Sequence, residues 1–298
     1  MLSRLLETIA DMDNPEGIPL CVVVIENGPV APARDVVASF RNRLDIRYFR
    51  EKRTGLVHAR NAAIERSLET GAEWIGFLDD DERVSPVWLR AMCEAMERFP
   101  AARAFAGPVR LHNPAGATRW FPPPKKFNIR TGQPLWDITT GNLLLKRELL
   151  DRDGLGMRFD MAYNLSGGED TDLALRLRRA GVKILWVQDA RCDEDILPKN
   201  AGFRAKTALS IHYMHNFGRV NIRLYGAVSG RLLNAFLVVK WTFHAIAYLL
   251  AGGISGIFSR QKGQALIARG IQRACMGIGH FRSLYRGLDS HYVTVDGH

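Results

Sequence analysis

The four cysteines, Cys21, Cys93, Cys192 and Cys275, stand far apart, and no C-x-x-C pair occurs. That spacing excludes a zinc ribbon and a disulfide-stapled module and sets a reducing compartment as the default. No internal repeat or low-complexity tract is found. Phosphate-cradling glycine loops of the G-x-x-x-x-G-K-[ST] or G-x-G-x-x-G type are also missing, so the phosphates of any nucleotide must be held by side chains or a metal. No secretory signal opens the chain: Glu7, Asp11 and Asp13 fall where an uncharged apolar stretch would be needed. The most informative absence is of acid. Residues 196–288 hold 13 Lys and Arg and no Asp or Glu, whereas residues 1–195 hold 28 basic and 29 acidic side chains. A near-neutral body joined to a purely basic tail asks for an anionic partner of the tail alone.

What is present is otherwise ordinary. The 298 residues are 47% hydrophobic and 24% charged, enough for one large domain or two small ones. Leu2, Leu5, Leu6 and Ile9 carry the spacing of a short amphipathic helix, broken by Asn14-Pro15-Glu16-Gly17. Residues 20–25 form a continuous apolar run, the pattern of a strand buried on both faces, and a turn follows at residues 26–29. Helices are expected over residues 34–42 and 55–69, with strands at 46–49 and 74–78. Ser85 as N-cap and Pro86 at the first helical position start a helix running to about residue 99. A strand follows at 104–111.

Residues 113–136 carry five prolines and read as a long loop or lid. Strands at 141–145 and 183–187 flank residues 167–180, which read as a loop entering a helix. This alternation, with strands apolar throughout, predicts a mostly parallel α/β sheet covered by helices. The first helix feeds a strand as in a β-α-β unit, yet no strand precedes it. The expectation is that the reading frame begins further upstream.

Two acidic clusters sit at turns of this body. Asp79-Asp80-Asp81-Glu82 follows the apolar run of residues 74–78. Four adjacent carboxylates raise one another's pKa, and a divalent cation relieves the repulsion; hard oxygen donors suit Mg²⁺ or Mn²⁺. Ligands of open α/β sheets bind at the carboxyl ends of strands. A solvated turn capping the next helix would also account for the tetrad. The second cluster is Gly167-Gly168-Glu169-Asp170-Thr171-Asp172, where the glycines permit close backbone approach and the acids lie at a helix N-terminus. A plain N-cap by Asp170 or Thr171 is the competing reading.

Three ordered segments resemble family 2 glycosyltransferases with the GT-A (Rossmann-like) fold, and bacterial members that build exopolysaccharide or other cell-surface glycans in particular. They are V-V-V-I-E-N-G at 22–28, G-L-V-H-A-R-N at 55–61 with W-I-G-F-L-D-D-D-E at 74–82, and G-G-E-D-T-D-L at 167–173. The resemblance spans residues 1–195. It implies a catalytic domain over residues 1–198 and a basic helical region over 199–298.

The same resemblance implies that Asp81 and Asp79 of the D-x-D motif ligate Mg²⁺ or Mn²⁺ on a nucleotide-sugar donor, a UDP-sugar first among candidates, and that Asp80 touches nucleoside or sugar. Glu26 and Asn27 fall near base and ribose, and Asn27 replaces a usual acid. Arg60 and Asn61 line the nucleotide pocket. Glu169-Asp170 matches the E-D motif, with Asp170 as general base. The Q-x-x-R-W sequence of processive synthases is absent, which implies transfer of one sugar by an inverting enzyme to a glycan or lipid-linked acceptor.

Trp120 and Trp136, in the Pro-rich loop, are candidate contacts for an acceptor sugar, and Trp186 reads as core. In the tail, residues 241–258 form an 18-residue apolar stretch, about 27 Å as a helix. Lys240 flanks one end and Arg260 and Lys262 the other, so a single span would place a strongly basic segment on the wrong side. An interfacial helix, or a re-entrant hairpin bending at Gly252-Gly253, fits better. The expected location is therefore the cytoplasmic face of the inner or plasma membrane, against anionic lipid. His212, His215 and His280 read as packing residues. The alternatives are a non-catalytic scaffold of the same fold and a nucleic-acid-binding protein. The second is disfavoured because a basic stripe would not be threaded through an uncharged run and no nucleic-acid motif occurs.

Overall fold

In the computed structural model, which describes residues 1–28, 32–114, 129–135, 138 and 140–287, hydrophobic spacing sets the first elements. Helix α1 (Leu2–Ala10) buries Leu5, Leu6 and Ile9. Strand β1 (Cys21–Asn27) pairs in parallel with β2 (Asp45–Glu51), from Cys21 opposite Asp45 to Asn27 opposite Glu51, across helix α2 (Ala33–Ser39). The apolar run of β1 is half-buried along its whole length rather than buried. Its second edge pairs with no strand among the described residues.

Helix α3 (Leu56–Leu68) leads to β3 (Trp74–Leu78) and the short β4 (Glu82–Val84). Helix α4 (Trp88–Arg98) starts after Val87, later than the Ser85-Pro86 signal suggests. The cause is tertiary: the Ser85 N–H donates to the Arg191 carbonyl at 2.8 Å, which holds the chain extended past β4.

The run at 104–111 is two strands in two sheets. β5 (Ala104–Ala106) and β6 (Val109–His112) separate at Gly107-Pro108. A Cβ on Gly107 would lie 1.9 Å from the Ala190 carbonyl oxygen, and proline offers no N–H to a ladder, so the chain changes sheet there. β7 (Pro134–Leu135), β8 (Asn142–Lys146), helix α5 (Arg147–Leu150), helix α6 (Glu169–Arg179), β9 (Ile184–Trp186) and β10 (Cys192–Asp195) complete the body. The strand orders are β3-β8-β5-β9-β7 and β4-β10-β6.

The sheets are mixed rather than mostly parallel. β1–β2, β5–β9 and β6–β10 are parallel; β3–β8, β5–β8, β7–β9 and β4–β10 are antiparallel. The expectation fails at β8, which runs against both of its neighbours. Trp120 and Trp136 lie outside the described residues.

Burial on both faces explains the apolar strands. Ile75, Phe77, Leu143 and Leu145 face α3 and α6 together with Val57, Ile64, Leu173 and Leu177. Trp74, Phe105 and Leu144 face α1 and α4 with Leu5, Ile9, Trp88 and Met92. Trp186 is 4% exposed and belongs to this core.

The C-terminal region is three helices, α7 (Phe203–Tyr225), α8 (Ala227–Phe258) and α9 (Arg260–Ser283). α8 runs unbroken through Gly252-Gly253, so no hairpin bends there. A Cβ on Gly252 would lie 2.7 Å from Ile267, which makes this glycine a notch for close helix packing, and the turn falls at Ser259 instead. A buried polar lock joins the three helices. Asn221 donates to Asn234 at 3.0 Å, and Asn234 donates to the Gly218 carbonyl at 2.7 Å and meets Ser283 Oγ at 3.1 Å.

Candidate active site

β3 delivers the first acidic cluster and β4 folds it back. Glu82 opens β4 and is 2% exposed. Its Oε2 accepts the Asp79 N–H at 3.1 Å. Burial, then the Asp79 charge, pushes its carboxyl up to about 9. Gly141 makes this possible, because a Cβ there would lie 2.2 Å from Glu82 Oε1 and 3.1 Å from Asp79 Oδ2. Asp79 and Asp80 are exposed at the turn and Asp81 is half-buried. Burial raises the Asp81 carboxyl, and the neighbouring charges of Asp79 and Asp80 raise it further.

The antiparallel β4–β10 register sets Glu194 opposite Glu82. Burial, then the charges of Asp81 and Asp79, pushes Glu194 up to about 7. Sequence reading did not place Glu194 here. The acidic run 193–195 is visible, but its strand and register are not.

The second cluster arrives on α6. Gly168 adopts a left-handed φ of 99° as the cap, so the helix begins with Glu169 itself and neither Asp170 nor Thr171 is the N-cap. Glu169 is buried and ion-paired with Arg60 of α3. Arg60 also reaches Asp79, at 3.5 Å, and lies over the Phe159 ring at 5.5 Å. One guanidinium therefore bridges the two acidic motifs, 90 residues apart in sequence. Burial raises Glu169 in spite of the Arg60 charge. Burial likewise raises Asp170, against the Thr171 N–H, which donates to its Oδ1 at 2.7 Å, and the nearby Arg60. Asp172 is buried and tied to Arg176 at 2.7 Å, a structural pair.

α7 supports the loop before α6. Asn216 donates to the Ser166 carbonyl oxygen, and His212 Nε2 lies 2.8 Å from the same atom. Tyr213, between them in sequence, has its hydroxyl raised by burial and then by the charges of Asp170, Glu194, Glu169 and Asp79. Its hydroxyl therefore lies in the field of both acidic clusters, although the residue remains 56% exposed. Nothing in its helical surroundings marks it in the sequence. His215 Nε2 lies 2.6 Å from the Gly287 carbonyl oxygen, and His280 is 2% exposed with its ring edge-on to Phe217.

Three residues expected near the nucleotide have their side chains engaged locally. Glu26 accepts the Ala33 N–H at 3.0 Å and the Tyr48 hydroxyl. Asn27 donates to the Glu51 and Arg53 carbonyls and accepts the Gly55 N–H at 2.9 Å. Asn61 holds the Phe159 backbone through both its amide nitrogen and its oxygen, each at 2.9 Å. Asn61 also borders a polar hollow of about 530 Å³, in which Arg53, Arg66 and Arg158 are already paired with Glu51, Glu69 and Glu65.

Among the described residues no three His, Cys, Asp or Glu side chains come together to enclose an ion unaided. The donor set still suits one shared with a ligand. Asp79 and Asp81 are hard oxygen donors at an open rim, and Mg²⁺-like ions are commonly held by one or two carboxylates plus substrate phosphates.

Comparison with known proteins gives the same picture. The profile described as Glycosyl transferase family 2 matches residues 1–154. Succinoglycan biosynthesis protein ExoM of Rhizobium meliloti (strain 1021) is 31% identical over 92% of this chain and 94% of its own length. Among solved structures, mannosyltransferase PcManGT from Pyrobaculum calidifontis, in complex with GDP-Man and Mn²⁺, superimposes with a TM-score of 0.56 at 16% identity, covering 95% of this chain and 83% of its own. GalNAc-T7 with UDP, GalNAc and Mn²⁺ gives a TM-score of 0.56 at 16% identity over 75% of this chain, which spans only 45% of that relative.

Proposed function

From a chain that belongs to glycosyl transferase family 2, with the GT-A fold and a relative in exopolysaccharide biosynthesis, we propose a specific reaction. The enzyme moves one sugar from a nucleotide-sugar donor, a UDP-sugar first, to a hydroxyl of a glycan or lipid-linked acceptor, with inversion at the anomeric carbon. Residues 1–198 form the catalytic domain, and the basic region 199–298 holds it at the cytoplasmic face of the membrane. The observation that carries this reading is Arg60, which is paired with Glu169 and lies 3.5 Å from Asp79, so one guanidinium meets both acidic motifs.

The acceptor oxygen forms a bond to the anomeric carbon as the bond from that carbon to the donor phosphate breaks. The leaving electron pair departs on the nucleoside diphosphate. A hydroxyl is a weak nucleophile near neutral pH, so a carboxylate must take its proton. Asp170 is assigned that task, because burial lifts its basicity above that of an ordinary aspartate. Glu169 is committed to its ion pair with Arg60 and positions the arginine. Asp79 and Asp81 would hold Mg²⁺ or Mn²⁺, which supplies charge stabilisation to the departing diphosphate when bound. Asp80, exposed beside them, is free to meet the nucleoside or sugar, and Glu26, Asn27 and Asn61 shape the pocket wall through the hydrogen bonds already described.

The test is a panel of UDP-, GDP- and dTDP-sugars, each assayed for protection against thermal unfolding with and without Mn²⁺. One donor class is expected to stabilise the chain by roughly 3 kcal/mol at a hundredfold excess over Kd. Asp81→Ala is expected to remove the Mn²⁺-dependent part. Equal, metal-independent shifts from every nucleotide would overturn the assignment.

A further inference from the structure

The exposed side of α8 is a single apolar stripe. Val228, Leu232, Phe236, Val239, Phe243, Ile246, Leu250, Ile254 and Ile257 are each 53–80% exposed. They recur every three or four residues, so at 3.6 residues per turn they fall within about 80° of arc and extend for about 44 Å. The opposite side of the helix is covered. Gly230, Asn234, Ala245 and Gly252 are buried against α7 and α9. Helix α8 is thus apolar outward along a line, not all round.

Three occupants could cover such a stripe: a second copy of the chain, the core of a bilayer crossed by α8, or a bilayer surface. Charge argues against the second copy, because residues 196–288 bear 13 cations and no carboxylate, and two such regions repel. α8 is long and apolar enough to cross a membrane by length and composition. Crossing, however, would carry its antiparallel partner α9 into hydrocarbon, with Arg269 next to Gly270, which packs on Leu249, and with Arg273 against Trp241. The stripe is also longer than the roughly 30 Å of a hydrocarbon core. Beside it, Lys240 and Arg273 flank the Trp241 ring at 5.0 and 4.9 Å, a cation–indole cluster of the kind that sits at headgroup level.

We propose that α8 lies flat in the membrane–water boundary, parallel to the bilayer, with this stripe in the acyl region and the flanking cations on anionic headgroups. The inference rests on the membrane attachment proposed above for residues 199–298 and uses no residue assigned to the donor chemistry.

The full-length protein is tested with phosphatidylcholine vesicles with and without 30% phosphatidylglycerol, composition chosen to switch the surface charge. Flotation with the anionic vesicles is expected, and it should fall at least tenfold in F236E/F243E/L250E. Circular dichroism and donor-induced thermal shift should be unchanged, since these three side chains are exposed. Depth is then read by fluorescence quenching from single cysteines at Leu232, Val239, Phe243, Leu250 and Ile257 in a C21S/C93S background. One shallow depth for all five supports the in-plane helix. A depth that rises to mid-bilayer and falls again would establish a span and overturn it. Failure to float, or concentration-dependent dimerisation abolished by the same charges, would also overturn it and would leave nucleotide-sugar binding untouched.

Discussion

Glu169 and Asp170 are neighbours in sequence with different employment. Glu169 is committed to Arg60, while Asp170 accepts the Thr171 N–H at 2.7 Å and is the residue proposed as base. Asp170→Asn preserves shape and removes the proton acceptor. Turnover should fall about 10²–10⁴-fold, the usual worth of a general base, with donor affinity retained in calorimetry. Wild-type turnover in that variant would transfer the role elsewhere. Glu82 offers a stability test. Its folded carboxyl is pushed up to about 9, from 4.5 for an ordinary glutamate. A raised carboxylate pKa means that the folded state holds the proton more tightly, so its contribution is full below pH 4.5 and is lost as pH rises towards 9. The isosteric Glu82→Gln has no proton to lose. In EDTA its unfolding free energy should draw ahead of the parent between pH 5 and 8, by at most about 1.4 kcal/mol per pH unit, as read by chemical denaturation. A gap independent of pH would show that Glu82 is not held protonated.

At the scale of elements, the two motif-bearing helices depend on each other. Asn164, before the α6 loop, accepts the Val57 and His58 N–H groups at 3.1 and 3.3 Å and donates to the Thr54 carbonyl at 3.0 Å. It thus caps α3 from a distance, and Gly55 must be glycine because a Cβ would fall 2.2 Å from the Asn164 amide. Asn164→Ala leaves those first-turn donors without a partner and should cost about 1–2 kcal/mol. Because α3 carries Arg60, turnover should fall as well while the donor still binds, and chemical denaturation beside kinetics checks both. Such cross-element ties mark the limit of legibility. Residues 56–68 and 74–78 read correctly because their periodicity is local, and both acidic motifs were visible as acids at turns. The Arg60 bridge, the Glu194–Glu82 pairing and the Asn164 cap join residues 90 or more apart, and no local pattern encodes them. The split at Gly107-Pro108 was readable in principle, since proline rarely continues a ladder, but the apolar run masked it. Conversely, Gly252-Gly253 read as a bend because glycine favours turns, whereas Gly252 serves as a packing notch against α9 and Gly253 faces open space.

At the scale of the molecule, the charge asymmetry and the cleft meet on α7. That helix packs on α9, where a Cβ on Gly279 would fall 2.5 Å from Met214, and it holds the Ser166 carbonyl in the loop before α6 through His212 and Asn216. The proposed anchor and the acidic clusters are therefore tied to one another through α7. An enzyme held in this way should find an acceptor in the bilayer plane far more often than one free in solution, while its intrinsic chemistry stays the same. Each large apolar side chain of the α8 stripe is worth about 1.5–3 kcal/mol when buried, and each cation near an anionic surface about 1 kcal/mol. Placing charge at Phe236, Phe243 and Leu250 should therefore weaken partition by well over the tenfold that 1.4 kcal/mol represents. Turnover with an amphiphilic acceptor presented on anionic vesicles should drop by about tenfold or more in that variant. Hydrolysis of the donor in the absence of vesicles should not change. Raising salt from 0.05 to 0.5 M should reproduce part of the loss in the parent, because screening shortens the reach of the cations to a few ångströms and leaves the apolar stripe intact. If both reactions fall together, the substitutions have disturbed the cleft through α7, and the independence of anchor and chemistry is lost.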